Sequence, residues 1–128
     1  MSMPAIRFRV DFGRDEAIGP GKIALLEHIA SSGSLSQAAR ELHMSYRRAW
    51  QLLESVNGSF RERAVLTAKG GRGGGGARLT PFGERLIRAY RDFDAEVQRR
   101  AARSFASILP LARHGARAAA PVRRLSER

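Results

Sequence analysis

A chain of 128 residues is long enough for one domain with a modest core. Its net charge of +11 favours a polyanionic partner, and the basic excess lies mainly in residues 63–80 and 101–128. The lack of cysteine excludes disulfides and thiolate metal sites, and no apolar run has the length of a membrane span or a signal-peptide core, so we expect a soluble cytoplasmic protein.

The first segment, residues 5–12, alternates strictly between apolar and polar side chains, which predicts a half-buried β-strand. Its apolar face consists of Ile6, Phe8, Val10 and Phe12, and its polar face of Arg7, Arg9 and Asp11. A turn over residues 13–16 follows, and a short return strand is expected near Ala17 and Ile18.

The apolar period becomes helical at Pro20. The first helix has a stripe of small and apolar residues, namely Ile23, Leu26, Ile29 and Ala30, and Gly33 is placed to end it. Ser34 and Gln37 have the spacing of a capping box, in which each side chain satisfies the other residue's backbone donor. This predicts a short second helix that reaches about Leu42.

The second helix and a third one have the spacing of a helix-turn-helix. Ser45 is the predicted cap of the third helix, which reaches roughly Val56. Small or apolar residues occupy the positions that lie between the two helices: Ala38, Ala39, Leu42, Met44, Ala49 and Leu52. His43 stands in the turn where glycine is common, and histidine tolerates that conformation less easily.

Residues 64–80 predict a basic β-hairpin. One strand is expected over residues 64–67 and the other over residues 77–79, with six of the chain's thirteen glycines between Lys69 and Thr80. Glycine allows a close approach to another surface, so we interpret this hairpin as a wing with Arg72 at the minor groove and with Lys69 and Arg78 at phosphates. The alternatives are a flexible surface loop and a nucleotide-binding loop, although the stretch lacks the ending of a P-loop.

A long helix is predicted to begin at Thr80 and Pro81, as N-cap and first helical residue, and to run to about Phe105. Its apolar seam has the spacing of a coiled coil and consists of Leu86, Tyr90, Phe93 and Val97. The seam either packs on its own domain or pairs with a second copy, and we favour dimerisation. Residues 1–105 would then form one DNA-binding domain, and residues 106–128 a basic, flexible tail.

The third helix carries the predicted base contacts. They are Ser45, Tyr46, Arg47 and Arg48 in its first turn and Gln51 one turn later. Arginine can form two hydrogen bonds with guanine, and glutamine prefers adenine. The alternative is a solvated helix face. Trp50 is predicted to pack in the core or between helices rather than to stack on a base.

Catalysis finds no support in the sequence. His28, His43 and His114 are scattered, and no acid–base pair or metal-ligand spacing accompanies them. We therefore expect no enzyme activity, no catalytic residue and no metal site. The predicted fold class is mainly α with small β elements, a winged helix-turn-helix with a long C-terminal dimerisation helix.

Three motifs in this order resemble the N-terminal domain of the ModE family of molybdate-responsive bacterial transcription regulators: residues 19–26 (GPGKIALL), 44–50 (MSYRRAW) and 70–81 (GGRGGGGARLTP). The opening of the long helix, residues 79–83 (LTPFG), is similar to that of the linker helix in LysR-type regulators. The resemblance covers about residues 5–105. It implies a DNA-binding homodimer on a palindromic operator, associated with the bacterial nucleoid.

In the ModE family, C-terminal oligonucleotide-binding-like domains sense molybdate, and we expect none here, because only about two dozen residues follow the long helix. We therefore expect no cofactor, with molybdate implied by family context only. The alternative function is a truncated interaction module that heterodimerises with a full-length regulator and modulates it.

Overall fold

A computed structural model describes residues 4–68 and 76–113. The elements in chain order are β1 (Val10–Asp11), β2 (Ala17–Ile18), α1 (Pro20–Ser32), α2 (Leu35–Glu41), α3 (Tyr46–Ser59), β3 (Val65–Thr67), β4 (Ala77–Leu79), α4 (Pro81–Ser104) and a 3₁₀ turn (Leu109–Leu111). The strands form two antiparallel pairs, β1 with β2 and β3 with β4. This is the predicted winged helix-turn-helix, followed by a long helix.

The N-terminal segment confirms the return strand but pairs over only two residues, Val10 with Ile18 and Asp11 with Ala17. The rest of the predicted strand is held by α4, because the side-chain amide of Gln98 donates to the carbonyl of Ile6 at 2.8 Å and accepts from its N–H at 3.0 Å. The alternation of half-buried and exposed side chains holds from Ile6 to Val10. It fails at Phe12, which is 53% exposed because the chain turns there.

Helix α1 is the centre of the core. It contacts α2, α3, α4 and β4, so more than one stripe of the helix is buried. Ile23, Leu25, Leu26 and Ile29 are fully buried, whereas the predicted stripe residue Ala30 is exposed. Gly33 ends the helix as predicted, with a left-handed φ of 71° and its N–H on the Ile29 carbonyl.

Helix α4 begins as predicted. The Thr80 hydroxyl accepts a hydrogen bond from the Gly83 N–H at 3.0 Å, and Pro81 is the first helical residue. The helix ends at Ser104, and the 3₁₀ turn replaces the irregular chain that we expected directly after it. Residues 114–128 lie outside the described part, so the domain boundary at residue 105 and the basic tail stay predictions.

Candidate nucleic-acid interface

The angle between α2 and α3 rests on small side chains. Ala38, Ala39 and Ala49 are buried at the contact of the two helices, which lets their backbones approach closely. The turn between them passes through His43, whose φ of 57° is left-handed. His43, which stands where glycine is common in this motif, therefore adopts the left-handed conformation that glycine tolerates best.

The two serine caps of the helix-turn-helix are present. The Ser34 hydroxyl accepts from the Gln37 N–H at 3.1 Å, and the Ser45 hydroxyl accepts from the Arg48 N–H at 3.0 Å. The reciprocal half of the capping box is absent, because the Gln37 amide bonds to Glu41 instead and the Ser34 N–H donates to the hydroxyl of Ser32. The Ser45 hydroxyl is thus already engaged as a cap.

The outward face of α3 consists of exposed side chains. Arg47 and Gln51 are exposed, and Tyr46 and Trp50 keep 56% and 40% of their surface accessible. Trp50 does not lie in the core, which is one of the two placements predicted for it, because Ala49, Leu52, Leu53 and Val56 fill the inward face without it. Since Tyr46 and Trp50 are one turn apart, they form an aromatic strip beside Arg47.

Arg48 lies at the flank of α3 rather than on its outward face. It is half-buried and lines a cleft with Arg9 and Lys22. The Lys22 ammonium donates to the Ala17 carbonyl at 2.7 Å and to the Ser55 hydroxyl at 2.8 Å. Burial lowers the pKa of Lys22, and the nearby charges of Arg48 and Arg9 lower it further. The sequence analysis did not identify Lys22 as a functional residue, although Lys22 is the last residue of the Gly-Pro-Gly-Lys motif at the start of α1.

The wing is anchored to the end of α3 by Asn57, which the sequence analysis also missed. The Asn57 side-chain oxygen accepts from the N–H groups of Ala64 at 2.8 Å and Val65 at 3.1 Å, and its amide donates to the Val65 carbonyl at 3.1 Å. Strand β3 then pairs with β4, which places Leu66 opposite Arg78. Both of these side chains are exposed. The predicted contacts Lys69 and Arg72 lie outside the described residues.

The predicted seam of α4 divides into two parts. Leu86 and Tyr90 are buried within this chain, and the Tyr90 hydroxyl donates to the Phe8 carbonyl at 2.9 Å. Burial and the charge of Asp94 raise the pKa of Tyr90 to about 12. Phe93 remains 50% exposed, and Val97 is half-buried. Leu86 and Tyr90 thus serve the chain's own core.

The histidines of the described part form no catalytic arrangement. His28 pairs with Glu41 at 2.7 Å on the exposed surface of α1 and α2, a partner that sequence reasoning did not identify. Hydrogen bonds from Gln37 and His28 lower the pKa of Glu41. Among the described residues, no group of three or more acidic, histidine or cysteine side chains could hold a metal ion. No helix in residues 4–68 and 76–113 is long and apolar enough to cross a membrane.

Comparison with known proteins matches the part of the chain that contains the helix-turn-helix and the wing. Residues 21–84 match the family model described as bacterial regulatory helix-turn-helix protein, lysR family. The chain is 46% identical over 82 residues to the DNA-binding transcriptional dual regulator ModE of Escherichia coli K12, which covers 64% of this chain and 31% of the relative.

Two further relatives match the same part of the chain. The molybdenum-pterin-binding protein MopB of Rhodobacter capsulatus is 45% identical over 80 residues, with 62% of this chain and 30% of the relative covered. The molybdenum transport protein ModE of Azotobacter vinelandii is 36% identical over 100 residues, with 75% and 37% covered. The chain therefore spans about a third of the length of these curated relatives.

Proposed function

Because the chain belongs to the lysR family of bacterial regulatory helix-turn-helix proteins, we propose that it is a sequence-specific DNA-binding transcription regulator that acts as a homodimer on a palindromic operator. The observation that carries this proposal is the outward face of α3. This face is exposed along its length, while α2 and the core hold its inward face. The N-terminal part of the second helix of this motif meets base edges in the major groove.

On this proposal, Arg47 and Gln51 are the base contacts of α3. Arg47 would form two hydrogen bonds with a guanine, and Gln51 would do the same with an adenine. The exposed strip of Tyr46 and Trp50 supplies apolar surface for thymine methyl groups. Arg78 on the wing would contact a phosphate, which positions the protein without reading sequence.

The test of base contact is a selection of genomic fragments with the purified chain at fixed salt, followed by affinity measurements on the selected site. Arg47→Ala should lose about 1–3 kcal/mol and accept more bases at one position of the site. Arg88→Ala is the matched control, because Arg88 is an exposed arginine on α4 outside this surface. An Arg47→Ala protein with unchanged preference at every base would contradict the assignment.

The wing and the effector can be tested in the same assay. We expect Arg72→Ala and Lys69→Ala to weaken binding evenly across sequences and to reduce the salt dependence. The same selection, run with and without molybdate, tests whether the choice of fragments depends on this anion. A site selected only in the presence of molybdate would show that the anion controls DNA binding.

The homodimer is proposed on the exposed apolar residues of α4 and of the turn that follows it. They are Phe93, Phe105, Ile108 and Leu111, with exposed fractions of 50%, 49%, 53% and 79%, and half-buried Val97 lies among them. Exposed apolar residues of this kind are typical of an interaction surface, and we propose that a second copy of the chain covers them. Two-fold symmetry would place the two α3 helices about 34 Å apart, one turn of DNA.

Light scattering after size exclusion tests the dimer. We expect twice the chain mass of 14.1 kDa for the wild type and a shift to the monomer for Leu111→Glu. Leu66→Glu is the control, since it places the same charge on an exposed apolar residue of the wing. A monomeric wild type that forms a complex with Escherichia coli ModE would instead favour the interaction module.

A further inference from the structure

A basic cleft lies beside α3. It has a volume of about 420 Å³ and lies between the N-terminal segment, the start of α1 and the flank of α3. Four cationic side chains line it, namely Arg7, Arg9, Lys22 and Arg48, and none of its described lining residues is acidic. Arg9 pairs with Asp11 at 3.4 Å, with both side chains largely exposed. Positive charge therefore dominates this cleft.

Two hydrogen bonds fix the position of Lys22 in this cleft. Two of its three donors are fixed on the Ala17 carbonyl and the Ser55 hydroxyl, which leaves one donor for a ligand. Burial and the like charges of Arg48 and Arg9 lower its pKa. An anion in the cleft would offset that repulsion, because an opposite charge within about 4–6 Å favours the charged form of an amine.

The start of α1 adds donors to the same cleft. Its N-cap is Gly19, which has no side chain to accept from the first turn, and Pro20 has no N–H. Gly19, Gly21 and Lys22 line the cleft, so the backbone donors of the first turn border it at the positive end of a 13-residue helix. The helix dipole and the four cationic side chains therefore both attract an anion to the cleft.

We propose that this cleft binds one phosphodiester group of the DNA backbone at the edge of the major groove, with Lys22 and Arg48 as its principal contacts and Arg9 beside them. The inference rests on the proposed function and extends it. Arg47 and Arg48 are adjacent on α3, and about 100° of helix rotation separates them. When the outward face of α3 enters the groove, the flank that bears Arg48 passes the backbone of one strand. Arg47 reads a base, and Arg48 fixes the position of the helix.

The test measures salt dependence on a labelled duplex of arbitrary sequence, about three helical turns long, by fluorescence anisotropy. Lys22→Met should bind roughly tenfold more weakly near 100 mM salt. The slope of log affinity against log salt should fall by up to about 0.9, the value for one neutralised phosphate. Arg9→Gln repeats the test at an exposed side chain whose loss leaves the core intact, and Arg88→Gln controls for the loss of one charge. Thermal melting reports whether each variant is folded.

A second arm uses the selected operator. Arg48→Gln should weaken binding to all operator variants by the same factor, in contrast to Arg47→Ala, which changes the preference at one base. The proposal is overturned if Lys22→Met and Arg9→Gln keep the slope of Arg88→Gln, or if Arg48→Gln alters a base preference. It is also overturned if inorganic phosphate at matched ionic strength stabilises the wild type but not Lys22→Met, while the DNA slope is unchanged. Failure of the proposed function differs from all of these, because the wild type would then select no site.

Discussion

Gly83 offers a sharp test of how the wing is joined to the long helix. It is the last residue of the LTPFG motif and lies in the first turn of α4, buried against Ala64, the residue before β3. A Cβ at this position would overlap the carbonyl oxygen of Ala64 and lie 3.1 Å from its carbonyl carbon. The same carbonyl accepts a hydrogen bond from the Thr80 N–H at 2.9 Å, so it cannot move without loss at the junction.

Two effects of Gly83→Ala oppose each other. Helix propensity alone predicts a gain of about 1 kcal/mol, because alanine loses less backbone entropy in a helix than glycine. Overpacking against a fixed backbone carbonyl costs about 1–3 kcal/mol, and the direct overlap with Ala64 places this site at the upper end. The expected net loss is about 2 kcal/mol. For a domain of this size that corresponds to a melting temperature roughly 8–16 °C lower.

Urea unfolding followed by circular dichroism, at one protein concentration, measures this difference. Gly58→Ala is the matched control, since a Cβ at Gly58 near the end of α3 would meet nothing within 4 Å. Helix propensity should therefore decide the effect of Gly58→Ala, and we expect the free energy of unfolding to stay the same or to rise slightly. If Gly83→Ala were as stable as Gly58→Ala, the close approach of α4 to Ala64 would not constrain the fold.

Three further changes test other parts of the structure. His43→Gly should stabilise the domain by roughly 0.5–1 kcal/mol in urea unfolding, because a left-handed residue costs less as glycine. Asn57→Ala should destabilise it by about 2 kcal/mol in the same assay, since it leaves the N–H groups of Ala64 and Val65 without their acceptor. Tyr90→Phe should cost about 1 kcal/mol at neutral pH. The wild type should lose that advantage between pH 10 and about 12, because ionised Tyr90 cannot donate to Phe8. The unfolding curves of the two proteins should therefore differ below pH 10 and converge near pH 12.

Local chemistry was the predictable part of this fold. Ser45 and Thr80 cap their helices because a hydroxyl before a helix has one strongly favoured use, and that use depends only on neighbours along the chain. The two strands of the wing were likewise predicted as short β-prone segments on either side of the glycines. Gln37 shows the limit of such reasoning. Its spacing suits a reciprocal cap, but Glu41 one turn later competes for the same amide and binds it.

Contacts between distant segments could not be predicted in the same way. Trp50 is predicted to pack in the core or between helices, yet the inward face of α3 is complete without it. Leu86 and Tyr90 have coiled-coil spacing, and that spacing cannot say whether the partner is a second copy or the same chain. Lys22 and Arg48 are 26 positions apart, so only the packing of α1 against α3 reveals that they share a cleft.

The N-terminal segment contacts both the proposed dimer surface of α4 and the basic cleft beside α3. Phe8 stacks on Tyr90 of α4, with ring centroids 4.8 Å apart, and meets Phe93 edge-on at 5.3 Å. Its neighbour Arg9 lines the cleft beside α3, and Phe8 itself borders that cleft. Pairing of α4 with a second copy at Phe93 would therefore press on the residue that adjoins a proposed phosphate contact. Since packed cores transmit displacement rather than absorb it, dimerisation would help to set the position of Arg9.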